Sequence, residues 1–294
     1  MNNDGKDFAS LKNDHGVALI IVLLVTALLI ALIFEFAYGT RISLRAAGNF
    51  RDSQRAYYLA RSGVNFVGRF LAANLQSGVT GTDTLYRYLE QKEWQTVPFL
   101  PGNDADLRVK WDDEAGKIQI TDVQTNPYRQ AILNSLFENN GIDRVVFDKM
   151  TAISIGSSGI KNLGLLTGLH QYMSDEDYNK VSNFLTTSHG VDKIDINTAS
   201  PEVLQSLGIS PGAAGLIVEA RKNPFTDHAS VSAFAGINNT FLPTKTLLAA
   251  TFLTETSNVF KVYSYATVGG YTKQVEAVIT RSISGYKVDY WRAL

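Results

Sequence analysis

The 294-residue chain contains no cysteine, and this absence excludes two kinds of site. Without cysteine there is no disulfide bridge and no thiolate metal centre. Proline is also scarce, with seven residues in the whole chain, and the first of them is Pro98. Long helices are therefore permitted through the first third of the sequence, because proline is the residue that most strongly breaks them.

A strong excess of either charge is also missing, since 27 Lys and Arg stand against 28 Asp and Glu. The residues after position 76 carry 19 of those cations and 23 of those acids. Binding to nucleic acid depends on clustered Lys and Arg that neutralise phosphates. The mildly acidic C-terminal part therefore argues against nucleic acid as a partner.

What the chain does have is a long uncharged stretch near its N-terminus. Residues 17–34 contain no charged side chain and follow directly on Gly16. At about 1.5 Å per residue, a helix of this length spans roughly 27 Å, close to the roughly 30 Å hydrocarbon core of a bilayer. The stretch predicts a transmembrane helix, which we place at residues 17–38.

Two ordinary interpretations of this helix stay open. A secretory signal peptide has a basic leader and a shorter apolar stretch, whereas residues 1–16 hold both lysines and aspartates. The tripeptide at residues 37–39, Ala-Tyr-Gly, would then be a weak cleavage site. A plain single-pass anchor is the other interpretation, and it assigns no role to Gly16.

The sequence across this junction resembles the class III signal of type IV prepilins and pseudopilins. It reads Lys12-Asn-Asp-His-Gly16, followed by Val17-Ala-Leu-Ile-Ile-Val-Leu-Leu-Val. The resemblance implies that a prepilin peptidase cuts after Gly16 on the cytoplasmic side of the membrane. Residues 1–16 would then be a leader, and Val17 would be the mature N-terminus.

Most members of those families carry Glu at the fifth mature position, where this chain has Ile21. In a stack of pilin subunits that Glu is thought to pair with a neighbour's N-terminal amine, and an unpaired charge in lipid costs at least about 2.5 to 3.5 kcal/mol. A subunit at the tip of a filament lacks that neighbour. The uncharged Ile21 is characteristic of the K-type minor pseudopilins of type II secretion, the GspK family, which this chain resembles.

The basic residues around the span give a conflicting prediction of orientation. Two lysines precede the span, and Arg41, Arg45, Arg51 and Arg55 follow it. The positive-inside rule would place the C-terminal part in the cytoplasm. The resemblance implies the opposite, a single pass through the bacterial inner membrane with a large periplasmic head. We adopt the second orientation because the peptidase site must face the cytoplasm.

Apolar residues recur at three- and four-residue spacing beyond the span. They are Ala56, Leu59, Gly63, Phe66, Val67, Phe70 and Leu71. The pattern predicts one long helix over residues 17–75, whose periplasmic half at 39–76 packs its apolar stripe on the head. The exposed arginines of this half predict a solvated face that touches anionic headgroups or acidic surfaces of neighbouring subunits.

Alternating residues predict two β-hairpins in one antiparallel sheet. The first joins residues 107–112 to 117–121, and the second joins 259–268 to 274–283 with an extension at 286–291. We expect this sheet to lie against the long helix. The result would be a pilin-like α+β body made of residues 77–123 and 255–294.

Residues 124–254 are predicted to be rich in helices. Ser174 precedes an acidic first turn, and Ser200 and Ser210 each stand before a first-turn proline. The K-type resemblance implies that these helices form an inserted all-α domain of helix-hairpin-helix or SAM-like type. The predicted fold class is therefore α+β, a long N-terminal transmembrane pilin helix packed on an antiparallel sheet, with an inserted helical domain.

Within that insertion, residues 194–221 resemble a helix-hairpin-helix. Its first helix is entered through Asn197, Thr198 and Ala199, and its hairpin contains Gly208, Ile209 and Ser210. In DNA-binding relatives the hairpin amides hold a phosphate beside basic residues. Here Ser210 replaces the usual second glycine, and no Lys or Arg lies between Lys193 and Arg221. We expect a packing unit and a protein-interaction surface, with a more degenerate second copy at 229–253.

Patterns for catalysis and metal binding are missing from the sequence. The histidines at 15, 170, 189 and 228 have no metal-ligand spacing, and there is no glycine-rich phosphate loop or nucleophile elbow. The K-type family is associated with calcium through acidic loops that follow an Asp-Trp-Arg-Asp-like segment, which residues 145–150 do not contain. The acidic clusters at 112–114 and 175–177 lack the alternate spacing of a calcium loop. We expect no enzyme activity and no cofactor.

The K-type resemblance implies a function in assembly. Such a subunit joins the I- and J-type minor pseudopilins in a tip complex that initiates the pseudopilus for protein export. The major pseudopilin filament, the prepilin peptidase and the inner-membrane assembly platform are its other implied partners. The alternative is a minor pilin of a type IV pilus or DNA-uptake system whose helix-hairpin-helix binds DNA. A single-pass envelope receptor that keeps its leader is a third reading.

Overall fold

The computed structural model describes residues 14–76, 93–97, 105–121, 123, 126–152, 173–188, 190–225, 253–254 and 257–294. The chain divides into two compact units, Met1–Gln54 and Arg55–Leu294. The first helix, α1, spans Asp14–Gln76. Its length confirms the prediction of one helix over residues 17–75, and it runs through Gly39 and Gly48 without interruption.

The second unit contains a five-stranded sheet in the order β1-β2-β7-β8-β9. Its strands are β1 at Gln95–Thr96, β2 at Ala105–Asp113, β7 at Val259–Val268, β8 at Tyr271–Ser282 and β9 at Gly285–Ala293. All neighbouring strands of this sheet are antiparallel. The single antiparallel sheet of the sequence-based prediction is therefore present.

The part of α1 that belongs to the second unit packs on this sheet. Ala60, Val64, Val67 and Leu71 are all at most 4% exposed and share one core cluster with strand residues such as Val262. The predicted apolar stripe is thus confirmed for this part of the helix. Small and branched residues form its centre, because the helix lies close to the strands.

Three residues of the predicted stripe lie at its margin instead, and one of them, Phe70, is partly buried beside the cluster. Phe66 is 45% exposed, and Leu59 is only partly buried at the edge of the cluster. The buried residues recur at intervals of three and four through Ala60, Val64 and Val67, and Phe66 falls outside that face. Residue type alone did not show which side of the helix meets the sheet.

The predicted C-terminal hairpin is confirmed. β7 and β8 pair along their whole length, from Val268 opposite Tyr271 to Val259 opposite Thr280. Gly269 and Gly270 have φ angles of 55° and 83°, which both residues of a tight hairpin turn require and which glycine adopts easily. β9 extends the sheet as predicted.

The predicted N-terminal hairpin is wrong. β2 pairs with β7 instead, with Asp113 opposite Phe260. The segment after the turn forms only a short strand, β3 at Ile118–Gln119, which pairs in parallel with β4 at Leu185–Thr186. The alternation that predicted a hairpin partner has another cause, since Ile118 belongs to the core of the helical region.

Between β2 and β7 lie five helices among the described residues. They are α2 at Pro127–Asn139, α3 at Arg144–Ala152, α4 at Asp175–Val181, α5 at Pro201–Ser206 and α6 at Pro211–Ala220. Two further short strands, β5 at Ile194–Asp195 and β6 at Leu253–Thr254, pair in parallel. These helices support the predicted helical insertion.

The helical region has a core of its own, separate from the sheet core. Leu133, Leu136, Phe137, Leu204 and Ile217 are at most 1% exposed and belong to one cluster. The predicted capping serines all function as caps. The Oγ atoms of Ser174, Ser200 and Ser210 accept backbone N–H groups three residues later, at 3.1, 3.2 and 3.3 Å.

Some predicted features lie outside the described residues. They are most of the leader, the segment 77–92, the histidines at 170, 189 and 228, and nearly all of the second helix-hairpin-helix copy at 229–253.

Candidate functional site

The first candidate site is the part of α1 that follows Gly16. Its Leu, Ile, Val and Phe side chains between residues 17 and 34 expose 45 to 71% of their surface. The hydroxyl of Thr26 donates to the carbonyls of Val22 and Leu23, each at 2.9 Å, so its polar group is satisfied inside the helix. Among the described residues, this is the one helix long and apolar enough to cross a membrane. Such a surface is suited to lipid.

The predicted cleavage residues lie in the first two turns of this helix. α1 begins at Asp14, two residues before Gly16. Val17 is 59% exposed, and Ile21, one turn later, is 57% exposed. The structure places an uncharged side chain at the fifth predicted mature position, but it does not test cleavage, which stays a prediction.

A basic face follows the apolar surface along α1. Arg41, Arg45 and Arg51 fall within about 120° of one another, since each helical residue turns by about 100°. All three side chains are exposed. Arg51 donates from Nε to Oδ1 of Asp52 at 2.9 Å. The first unit therefore combines an apolar surface with a cationic one on the same helix.

The helix-hairpin-helix is the third candidate site, and its local geometry fits the prediction. Helices α5 and α6 flank Gly208, whose φ of 89° lies in the left-handed region that glycine tolerates. Ile209 is 6% exposed and packs into the helical core. Ser210 caps α6. The hairpin therefore brings two short helices together as a packing unit.

The residues that enter this motif bond to the protein itself. Asn197 exchanges two hydrogen bonds with Phe225, its Nδ2 donating to the carbonyl at 3.1 Å and its Oδ1 accepting the N–H at 2.8 Å. The Thr198 hydroxyl donates to Asp113. Ala199 is fully buried, and its carbonyl accepts from Arg221.

The contacts of Arg221 bear on whether the helix-hairpin-helix can bind DNA. Its Nε donates to the carbonyl of Ile196 at 2.8 Å, so the guanidinium faces the entry segment of the motif itself. Lys193 is exposed, but it precedes the motif. A phosphate site at a hairpin needs cations beside the hairpin amides. This arrangement favours a structural use of the motif and does not favour the DNA-binding alternative.

The structure also shows a buried charged cluster that the sequence analysis did not predict. Glu114 is 1% exposed, and its Oε1 accepts from Nζ of Lys117 at 2.5 Å. Its other carboxylate oxygen accepts from the hydroxyls of Thr186 and Ser188, the latter at 3.3 Å. The cluster joins the end of β2 to the helical region.

Asp113, the neighbouring acid, completes this junction. It is 7% exposed and accepts hydrogen bonds from the hydroxyls of Ser257 and Thr198 and, at 2.8 Å, from the N–H of Ala115. Ser257 stands just before β7, and Thr198 belongs to the helix-hairpin-helix entry. One carboxylate therefore connects the sheet to the motif. Buried charges need such partners because an unpaired one is very costly.

Burial and pairing move the pKa values of the two acids in opposite directions. Burial raises the pKa of Asp113 from 3.8 to about 6, although its hydrogen bonds oppose the change. Burial would also raise the pKa of Glu114, but the adjacent Lys117 ammonium outweighs it and holds that pKa below 4.5. The same partnership raises the pKa of Lys117 despite its burial.

The predicted hairpin places residues 113–116 in its turn, and a turn gives no indication of a buried charged cluster. Residues 113–116 have a composition typical of a turn, yet Asp113 and Glu114 are buried. The signal that could have found it is Lys117 three residues after Glu114, followed directly by the apolar Ile118 and Ile120. A cation spaced to pair with an acid at the edge of an apolar segment indicates a buried ion pair.

The acidic clusters do not converge on a common point. Glu176 and Asp177 pair with Lys180 on α4, at 2.9 and 3.5 Å, as acids in a first helical turn commonly do. Among the residues that the structure describes, no group of three or more His, Asp or Glu is placed to hold a metal ion. The absence of a cofactor, including calcium, stays a prediction.

The architecture defines a class of protein. A long N-terminal helix, apolar and exposed where it begins, packs near its C-terminal end on an antiparallel sheet. This is the pilin-like arrangement of a membrane-anchored subunit, here with helices inserted between two strands of the sheet.

Comparison with known proteins identifies the particular relatives. The chain is 24% identical over 260 residues to type II secretion system protein K of Pseudomonas aeruginosa, across 74% of this chain and 77% of the relative. Its fold is similar to a chain of the GspK-GspI-GspJ complex from the type 2 secretion system of enterotoxigenic Escherichia coli, with a TM-score of 0.61 and 14% identity. That match covers 84% of this chain and 98% of the other. No family model matches the chain.

These two matches confirm the resemblance to K-type minor pseudopilins that the sequence predicts. The structural match also confirms the predicted fold class of a long helix on an antiparallel sheet, and the helices between β2 and β7 support the helical insertion in part.

Proposed function

We propose that this chain is a minor pseudopilin at the tip of a type II secretion pseudopilus, where it joins I- and J-type minor pseudopilins in the complex that initiates assembly. The sequence match to a protein K carries the proposal. The fold shared with a chain of the GspK-GspI-GspJ complex supports it. Its function is structural, and it needs no catalytic group.

The apolar part of α1 needs apolar partners once it leaves the membrane. Large side chains from Val17 to Phe34 are exposed in the isolated chain. When a subunit moves from the membrane into a fibre, this surface must pack against the corresponding helices of its neighbours. Leaving this surface in water instead would cost about 2.5 kcal/mol for each 100 Å² of apolar surface. A helix that can neither remain in lipid nor find such partners would be unstable outside the membrane.

Ile21 and the helical insertion together support a position at the tip. Ile21 offers no carboxylate to the N-terminal amine of a subunit above it. The insertion enlarges the head between β2 and β7, which would obstruct stacking of a further head. A subunit with both features terminates a fibre at its outer end, and assembly proceeds by adding subunits beneath it.

The orientation follows from this position. The leader lies in the cytoplasm, the helix crosses the inner membrane once, and the head lies in the periplasm. The single candidate span among the described residues agrees with one crossing. The arginines after the span are exceptions to the positive-inside rule, which the peptidase requirement overrides.

Leader removal is tested by measuring the intact mass of the membrane-extracted chain from its native host. We expect a mature protein that begins at Val17, and we expect Gly16→Ala to keep its leader. Gly39→Ala, the same substitution in the middle of α1, is the control and should be processed normally. A mature wild-type protein that still begins at Met1 or Asn2 would contradict the pseudopilin assignment.

Tip-complex formation needs a separate test. The processed full chain should co-purify from membranes with the I- and J-type minor pseudopilins of the same organism, and a strain lacking it should lose export until the wild-type gene is restored. Normal export without this chain would refute the proposed function. Salt-dependent DNA binding by the full chain would instead support the minor-pilin alternative.

A further inference from the structure

Three exposed side chains of α1 lie at the end of the predicted span and just after it. Tyr38 is 69% exposed, and Arg41 and Arg45 are exposed one turn apart on the same side of the helix. If the hydrocarbon begins at Val17, about 30 Å of helix ends near residue 36. Tyr38 then lies about 3 Å beyond the hydrocarbon, Arg41 about 7.5 Å and Arg45 about 13.5 Å.

Tyr38 lies within the headgroup layer, Arg41 at its outer edge and Arg45 about 6 to 8.5 Å beyond it. That layer is about 5 to 7.5 Å thick on each side of the membrane. Tyrosine is enriched there because its ring is apolar and its hydroxyl is polar. An arginine several ångströms above the layer can extend its guanidinium back toward it along its aliphatic stem.

The charges of the first unit leave both arginines available. The sequence has no acid between Glu35 and Asp52, and Asp52 accepts from Arg51 at 2.9 Å. Among the described residues, no carboxylate pairs with Arg41 or Arg45. Two guanidinium groups that can reach the headgroup layer and have no protein carboxylate can pair with the anions of that layer, which are lipid phosphates.

We propose that Arg41 and Arg45, together with Tyr38, form a binding site for the phosphate of anionic phospholipid headgroups in the leaflet next to the head. A guanidinium can bind two phosphate oxygens at once, which suits it to this ligand. The site is continuous with the lipid-facing surface of the same helix, and this continuity favours lipid over an acidic protein. The inference rests on the membrane span of the proposed function but not on the tip complex.

Such a site would hold the subunit at a fixed depth before assembly. Extraction of the helix into a fibre would then break the arginine contacts to phosphate, and other groups would have to replace them. The anchor would therefore oppose premature departure of a subunit that has found no partners.

The test is native mass spectrometry of the full chain released from lipid nanodiscs that contain equal amounts of phosphatidylglycerol and phosphatidylcholine. The wild-type chain should retain phosphatidylglycerol preferentially. In Arg41→Gln/Arg45→Gln this preference should fall by about fivefold or more, since a cation near the surface contributes roughly that factor. Arg41→Lys/Arg45→Lys should keep most of it.

The matched control is Arg69→Gln/Arg144→Gln, which removes the same charge from two exposed arginines of the second unit. It should retain lipid like the wild type. The wild-type preference should also weaken as the salt concentration of the nanodisc buffer rises from about 0.05 to about 0.5 M, because salt screens exposed charges.

Three outcomes would overturn the proposal. They are equal retention of the two lipids by the wild-type chain, an undiminished preference in the Arg41/Arg45 glutamine variant, and an equal loss in the control. A wild-type preference that salt does not weaken would also count against it. The assay contains no other pseudopilin, so loss of the tip complex in cells with normal lipid retention would refute the proposed function alone.

Discussion

The two parts of α1 have the same helical backbone, but their apolar side chains differ in exposure. Between residues 17 and 34, the large apolar side chains expose 45 to 71% of their surface. In the second unit, Ala60, Val64, Val67 and Leu71 expose 4% or less. Both parts are apolar and both are helical, so composition and periodicity do not separate them. Their difference is the shape of the surface that each one meets.

A lipid environment accepts any apolar side chain, whereas a folded sheet accepts only what fits. At Gly63, a Cβ atom would lie 2.2 Å from Oγ of Ser264 and 2.9 Å from Cγ1 of Val109. At Gly68, it would lie 2.5 Å from the ring of Tyr286. At Gly48 there is no atom within 4 Å of that position. Glycine is thus required for close approach in one part and merely tolerated in the other.

The largest expected effect comes from truncating one leucine in each part. Leu71→Ala should lower the free energy of unfolding of the head by about 2 to 5 kcal/mol, because it leaves a cavity in a closed core. Leu24→Ala should change it by less than about 0.5 kcal/mol. All three tryptophans follow residue 76, so their fluorescence during urea unfolding of the full chain in detergent reports on the head. Equal effects of the two substitutions would contradict the comparison.

Charge gives a second contrast, because residues 17–34 carry none while the head buries two adjacent acids. The pKa of Asp113 rises from 3.8 to about 6 on folding, so the folded state takes up a proton between those values. Its contribution should make the head less stable as pH rises from about 4 to about 6, by about 2 to 3 kcal/mol. Glu114 acts oppositely, since its stabilisation is present above pH 4.5 and is lost as pH falls below it.

The check is unfolding of the full chain between pH 4 and pH 8. Asp113→Asn should flatten the slope between about pH 4 and pH 6, because the titrating group is gone. Asp175→Asn, which changes an exposed acid on α4, should leave the slope as in the wild type. An unaltered slope in Asp113→Asn would assign the pH dependence to other groups.

A smaller effect, of opposite sign in the two parts, is expected for alanine in place of glycine. Gly63→Ala should destabilise the head by about 1 to 3 kcal/mol, because its methyl group forces the helix away from the strands. Gly48→Ala should instead strengthen the helix by up to about 1 kcal/mol, since alanine is the better helix former. Thermal unfolding followed by circular dichroism measures both, and destabilisation by Gly48→Ala would show that the first unit also has a close contact there.

The smallest expected effect tests whether the insertion depends on local helix signals. Ser210→Ala removes the cap of α6 and should cost about 1 kcal/mol of head stability. Ser210→Asp, which keeps an acceptor at the cap, should restore most of it. Equal losses in the two variants would mean that the hydroxyl has another role in the hairpin.

Local signals were sufficient where the chain interacts with its sequence neighbours. The capping serines before α4, α5 and α6, the glycine turn after β7 and the length of α1 all follow from residues within one or two turns. Two short segments, around Gly16 and at the entry to α5, were enough to show the resemblance to K-type minor pseudopilins. The comparisons with known proteins confirm that resemblance.

Long-range pairing was not predictable in the same way. β2 was expected to pair with the segment after its own turn, yet its partner β7 begins at Val259. Alternation of apolar and polar residues shows that one face of a strand is buried. It does not show which strand or helix lies beside it. The burial of Asp113 and Glu114 was likewise not predictable, because the hydroxyls that bind them come from Thr186, Thr198 and Ser257, far along the chain.

The pairing of β2 with β7 also has a consequence for the evolution and engineering of the head. Residues 114–258 leave the sheet at Asp113 and return beside it, with Asp113 opposite Phe260, so the whole helical region is, topologically, the loop of one oversized hairpin. Neighbouring strands are only about 5 Å apart, and a connection that starts and ends so close can be exchanged without changing strand order. A graft of a short turn in its place would produce a miniature head on the same scaffold.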